Sequence, residues 1–374
     1  MRFPTFAKAI EKCDAALKQY KLNIYKILTE KDNSMFDNIL HSIVGIAAVQ
    51  IGLVDLPTSV GVVPDYIIGH SVGELDCAYA DGCFTAEEMI LAVYSRGIAL
   101  IETKISHGSM ATAGLSYDDL KNCCSPDIDI ACHNGTESTT VSGPTNSVKA
   151  FETEVIVEEM PCNNIPIYHS RYIAAVRSKL FVYLKKVIPV AKPRSKKWLS
   201  TLGPRKAWST SAAKLSSAEC HTNNLFKPVL FAETLALIPD NIVPIEIRSQ
   251  NLLQASLRKS LQPTVRNIAL NRLNDKDNVI IFLQALGKLY NSGVQLDLTK
   301  LYPHVKYPVS RDGNIQTTGL WQITKDKREL ILANEYLKYR SIMKNFITLL
   351  VTWSMAEICF QRQDIYVWFG KLSA

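Results

Sequence analysis

The chain lacks most of the features that would mark a membrane or secreted protein. No run of about 18 uninterrupted apolar residues occurs, so no membrane span is expected. The most apolar late segment, from Phe346 to Met355, is too short to cross a bilayer. The N-terminal stretch MRFPTFAKAIEKCD has no apolar core followed by a small-residue cleavage site, so no secretory signal is read from it. The cysteines number nine, an odd count, and none stand in a CxxC spacing. A disulfide framework and a zinc site are therefore both unexpected, and reduced thiols in the cytoplasm fit better. There is no internal repeat and no low-complexity segment.

What is present is ordinary globular material. The 374 residues are 47% hydrophobic and 21% charged, enough for a large core or two domains. The net charge is +7. Much of the excess lies in one stretch: Lys185, Lys186, Lys192, Arg194, Lys196, Lys197, Arg205 and Lys206. Such a run is either a solvated face or a docking surface for an acidic partner. No nucleic-acid recognition motif accompanies it.

Hydrophobic spacing predicts helices over 5–30, a long buried one within 36–55, and one over 85–100. The last opens on a capping box, with Thr85 as N-cap and Glu88 three residues on. Tyr66–Ile68 reads as a short buried strand, followed by a helix from Glu74 to Ala80. Between 109 and 168, the strand-like SMATAGL and TTVSGP alternate with the helix-like YDDLKNCC and TNSVKAFETEV, which implies a small α+β unit. Another helix is expected over 170–187, then an irregular stretch over 190–222. Strands (PVLF, VPIEI) and helices (LLQASLRKSL, VIIFLQALGKLYNSG) return up to about 293.

Gly69-His70-Ser71-Val72-Gly73 is a G-x-S-x-G sequence set between the expected strand and helix. That context holds a serine on a sharp turn at a helix N-terminus, where the Val72 N–H and the helix dipole face a developing oxyanion. The alternative is a glycine-rich strand–helix turn carrying an incidental serine.

GHSVGEL followed by AYADGCFTAEEMILAVYSRG resembles the acyltransferase (malonyl/acetyl-transferase) domain of animal-type, insect-like fatty acid synthases and related polyketide synthases. The resemblance continues, in order, through Arg96 (25 positions after the serine, 96 − 71), Gly108-Ser109-Met110-Ala111, Tyr168-His169-Ser170 and HTNNLFKPVLF at 221–231. It covers about residues 3–311. It implies an α/β fold: an α/β-hydrolase-like large subdomain with a parallel sheet (1–107 and 170–300) and an inserted ferredoxin-like small subdomain (108–169). Residues 301–329 would be linker and 330–374 a divergent tail.

The same resemblance implies roles. Ser71 is the nucleophile and His169 its base, held by a backbone carbonyl rather than an aspartate. Val72 supplies an oxyanion N–H. Arg96 matches the arginine that receives an extender carboxylate, a role suited to its planar fork. His70, Gln50, Tyr168 and Asn224 line the substrate pocket, with Asn223 beside them. Malonyl-CoA or acetyl-CoA would donate, and the phosphopantetheine thiol of an acyl carrier protein would accept, with neighbouring synthase domains as partners and no bound metal or cofactor. The basic stretch would meet coenzyme A phosphates or the acidic carrier.

Three departures stand out. The family opens with a strand ending in G-x-G-x-Q, which supplies a second oxyanion N–H, and this sequence begins after it. The resemblance thus implies an N-terminally truncated chain, a sheet short of its first strand, and impaired activity, since one lost donor costs about two to three powers of ten in rate. Tyr168 replaces the usual Phe before the base. The tail ANEYLKYRSIMKNFITLLVTWSMAEI faintly resembles the start of a dehydratase domain without its catalytic His-x-x-x-Gly. Two other readings stay open: a serine hydrolase or thioesterase using an acid such as Asp127 or Glu137, and a catalytically impaired structural fragment of a synthase.

Overall fold

The computed structural model describes residues 3–30, 38–155, 162–247, 267–272 and 277–301, a few single residues between them, and the backbone of 346–353. The linker at 302–329, the rest of the tail and most of the LLQASLRKSL segment lie outside the described residues.

The N-terminal third is helical up to the first strand. Helices α1 (Pro4–Leu17), α2 (Ile24–Thr29) and α3 (Ile39–Ser59) lead into β1 (Tyr66–Ser71), α4 (Gly73–Ala80) and α5 (Ala86–Ile101). The long α3 packs against α1 and α5. It corrects the premise about apolar length: by length and composition alone α3 could cross a membrane, because scattered polar residues such as Ser42 and Gln50 do not lower its average enough. Its most apolar 18-residue window is 83% buried inside the molecule, as in the core helix of a globular domain. The capping box at the start of α5 is formed, with Thr85 N–H donating to Glu88 at 2.8 Å and Glu88 N–H to Thr85 Oγ1 at 3.1 Å.

The inserted unit follows as β2 (His107–Ala113), α6 (Tyr117–Cys123), β3 (Asp129–Gly135), β4 (Ser138–Gly143), α7 (Thr145–Glu154) and β5 (Cys162–Pro166). Its antiparallel strands lie in the order β5-β2-β4-β3, the βαββαβ arrangement expected of a ferredoxin-like subdomain. A small separate core of Ala111, Ala113, Leu120, Ile128, Val141, Val148 and Phe151 holds it together.

The chain then re-enters the large subdomain through α8 (Arg177–Val187), β6 (Lys192–Pro193), β7 (Trp198–Leu199), β8 (Leu215–Ser216) and α9 (Ala218–Asn224). The stretch expected to be irregular thus carries three two-residue strands and a helix. Next come β9 (Val229–Leu230), α10 (Phe231–Leu235), β10 (Ile242–Ile247), β11 (Ile268–Ala269), α11 (Asn278–Asn291) and, far downstream, β12 (Phe346–Trp353). PVLF is only briefly a strand: β9 adds parallel to the outer edge of β3, so the small sheet ends in a strand borrowed from the large subdomain.

The large sheet is parallel, in the order β11-β10-β12-β1-β7. Residues 346–353, from the segment read as a divergent tail, run between β1 and β10. The C-terminal ends of the central strands converge on Ser71, where open parallel sheets place their ligand sites.

Candidate active site

Ser71 ends β1 with φ at 54°, and α4 starts two residues later at Gly73. The turn is tight because two backbones meet there. A Cβ added to Gly69 would lie 2.6 Å from the carbonyl of Gly73 and 2.7 Å from the nitrogen of Glu74, so only glycine fits. Val72 heads α4, where backbone N–H groups lack intrahelical acceptors and the dipole favours negative charge.

His169 reaches this turn from the far side of the inserted subdomain. Its Nε2 accepts from Ser71 Oγ at 2.7 Å, across 98 positions of sequence. Its Nδ1 donates to the backbone carbonyl of Lys227 at 2.8 Å, and a carbonyl can only accept, so this bond fixes the tautomer that leaves Nε2 free to take a proton. The His169 N–H donates in turn to the Leu225 carbonyl. The base is thus clamped by the turn after α9, and it too adopts a left-handed backbone, φ 53°. Burial, reinforced by the nearby Arg96 charge, pushes its pKa down to about 3. The imidazole is neutral across the physiological range.

Arg96 comes from α5 and is buried. Its Nη1 donates to Asn224 Oδ1 at 2.5 Å, while Nε and Nη2 have no partner among the described residues. Burial lowers its pKa to about 10, still well above neutrality, so a buried cation with two unused donors stands in the site. Asn224 joins the two halves, because its Nδ2 donates to the Ser71 carbonyl at 2.9 Å. The arrangement brings together a serine hydroxyl, a neutral imidazole, a helix N-terminus and a buried cationic fork, groups able to support acyl transfer through a seryl ester.

A protein-family model described as acyl transferase domain matches residues 1–296. The chain belongs to the acyl transferase domain family. The chain is 29% identical over 295 residues to a highly reducing polyketide synthase, sphB, of Aspergillus fumigatus, covering 71% of this chain and 11% of that protein. It is 29% identical over 247 residues to the squalestatin tetraketide synthase of a Phoma species, covering 62% and 9%. The chain thus spans about a tenth of the length of these relatives. In fold it is similar to the acyltransferase domain from the second module of the salinomycin polyketide synthase, with TM-score 0.67, 20% identity, and 82% and 72% of the two chains covered. A loading acyltransferase from the avermectin modular polyketide synthase gives TM-score 0.67 and 20% identity, with 77% and 92% covered.

Two of the remaining expected residues of this acyl transferase domain adjoin the dyad in sequence, His70 beside Ser71 and Tyr168 beside His169. His70 is buried, donates from Nε2 to Asn134 Oδ1 at 2.9 Å, and meets the ring of Phe231 edge-on. Tyr168 is fully buried, next to the base and within electrostatic reach of Arg96. Gln50, on α3, extends its amide to the Ile247 carbonyl at the end of β10, at a long 3.5 Å. Asn223 lines a cavity of about 170 Å³ that it shares with Arg194, Trp208, Cys220 and Lys227.

Three contributors escaped the sequence reading. Glu74, inside the motif itself, accepts from Thr201 N–H (2.7 Å), Thr201 Oγ1 (2.9 Å), Ser200 Oγ (3.0 Å) and Trp198 Nε1 (3.1 Å). Those bonds tie the start of α4 to β7 and the turn after it. Lys227 meets His169 through its carbonyl, which no residue type reveals. Asn134 lies on β3, a strand the pattern of the sequence did not disclose. The acids considered for a hydrolase triad do not include the partner of His169, because that partner is the Lys227 carbonyl. Asp127 instead accepts from Ser125 and Ser147.

Proposed function

We propose that the chain loads a malonyl group from malonyl-CoA onto Ser71 and passes it to the phosphopantetheine thiol of an acyl carrier protein. Neutral His169 takes the serine proton as Oγ attacks the thioester carbonyl, and the Val72 N–H faces the oxyanion. Collapse of the tetrahedral adduct breaks the C–S bond, and His169 returns the proton to the departing thiolate. The carrier thiol then reverses these steps on the seryl ester. Every step uses groups of the chain and its two thioester partners, with no bound cofactor. The reaction serves fatty acid or polyketide assembly in the cytoplasm, with neighbouring synthase domains as partners. The 170 Å³ cavity flanked by Arg194 and Lys227, with Arg205 and Lys206 nearby in sequence, suits the phosphates of coenzyme A or an acidic carrier.

The observation that carries the malonyl reading is Arg96, whose Nε and Nη2 have no partner among the described residues in a buried site. A malonyl carboxylate supplies the two parallel acceptors this fork lacks; an acetyl group does not. Incubation with labelled malonyl-CoA should label Ser71, and the label should move to carrier protein rather than to water. Arg96→Ala should slow malonyl loading at least tenfold more than acetyl loading. Equal losses would remove the carboxylate role, and rapid loss of label to water would favour the hydrolase.

A further inference from the structure

The strand β12 begins 50 positions beyond the end of the family match (346 − 296). Yet it occupies the middle of the sheet. It pairs with β1 from Tyr66↔Thr348 to Ser71↔Trp353 and with β10 from Ile242↔Phe346 to Ile247↔Val351, six residues on each side. On its other flank β1 pairs with β7 only at Ile67 and Ile68. Among the described residues, Gly69, His70 and Ser71 therefore have a strand neighbour on the β12 side alone.

Neighbouring strands lie about 4.8 Å apart, so without β12 the edges of β1 and β10 would face each other across about 10 Å. Each would carry unpaired backbone groups in the interior of the subdomain, and such groups are costly when buried. The end of β1 would also lose the ladder that fixes where the Ser71 turn begins. We propose that residues 346–353 are a positioning element for the nucleophile: a strand from beyond the family domain that completes the sheet and sets the place of Ser71 through backbone pairing. The inference rests on Ser71 being the acyl acceptor only in its activity readout.

The test uses the full-length chain and Leu350→Pro, whose position pairs with Ile68 and Glu246. In a central strand every N–H serves one neighbour or the other, so proline removes a ladder bond at any position. Hydrogen exchange read by mass spectrometry should show 66–71, 242–247 and 346–353 protected together in the unsubstituted chain. In the variant all three should exchange at least tenfold faster, and labelling of Ser71 should fall at least tenfold. A synthetic peptide of residues 344–355 should restore both, and the same peptide carrying the proline should not. The proposal is overturned if 346–353 exchanges like a free peptide in the unsubstituted chain, if 66–71 keeps its protection in the variant, or if the peptide restores nothing. If the exchange pattern holds but Ser71 takes no acyl group, the proposed function fails and the strand insertion stands.

Discussion

At the scale of single residues, the site is governed by burial of ionisable groups. His169 is held neutral, with its pKa at about 3, because its charged form has little solvation and faces the Arg96 cation. An ordinary histidine near 6.5 would lose about thirtyfold of its basic form between pH 8 and pH 5. Here kcat/KM for malonyl loading should stay level over that range, and an inflection near pH 6.5 in the profile would contradict the assigned environment. The same shift bears on stability. The unfolded chain binds a proton on this imidazole below about pH 6.5 and the folded one does not, so stability is lost as pH falls from there toward 3. Asp76 has the opposite sign. It is fully buried in the first turn of α4, with neither carboxylate oxygen bonded among the described residues, and burial raises its pKa well above the usual range. The folded state keeps a proton there that the unfolded chain releases above about pH 4, so this residue costs stability increasingly as pH rises. Asp76→Ala should stabilise by about 1–3 kcal/mol in urea unfolding, with the larger gain at pH 8 than at pH 4. An equal gain at both values would mean the carboxyl is not protonated on folding.

At the scale of elements, α4 is eight residues long and cannot hold its own orientation. Glu74 does so for it: four donors from Trp198, Ser200 and Thr201 converge on one buried carboxylate, pinning the helix that carries the Val72 N–H to the sheet. Glu74→Ala would strand those donors and should destabilise by about 3 kcal/mol, measured by denaturant unfolding, with Ser71 labelling falling in parallel. The elements most legible in the sequence were those whose signals are local. The Thr85–Glu88 box, the long apolar α3 and the G-x-S-x-G turn each announce themselves within a few residues. Strand β3 did not, because DIACHNG carries polar His133 and Asn134 at buried positions, where they bond to Glu233, His70 and Thr140 rather than to water. The two-residue strands β6 to β9 are too short for any periodicity to register.

At the scale of the molecule, the subdomain plan and the Ser71–His169 pairing were implied by the family resemblance, carried by the motifs at 69–73 and 168–170, and not by spacing. The strand order did not follow. Nothing in FITLLVTW distinguishes a strand that enters the centre of a distant sheet from one that starts another domain. Only the register against β1 and β10 reveals its place. The long-range contacts at the site were likewise hidden, because Asn224 meets both Arg96 and Ser71 across 128 and 153 positions.

The group that orients His169 is a main-chain oxygen, and this changes what mutagenesis can see. Lys227→Ala leaves that oxygen where it was, as does every other exchange that spares the local backbone. An alanine survey would register Ser71 and His169 but not the oxygen that orients the imidazole, whose contribution would surface only when the turn from Leu225 to Lys227 is itself displaced, for instance by inserting a residue there.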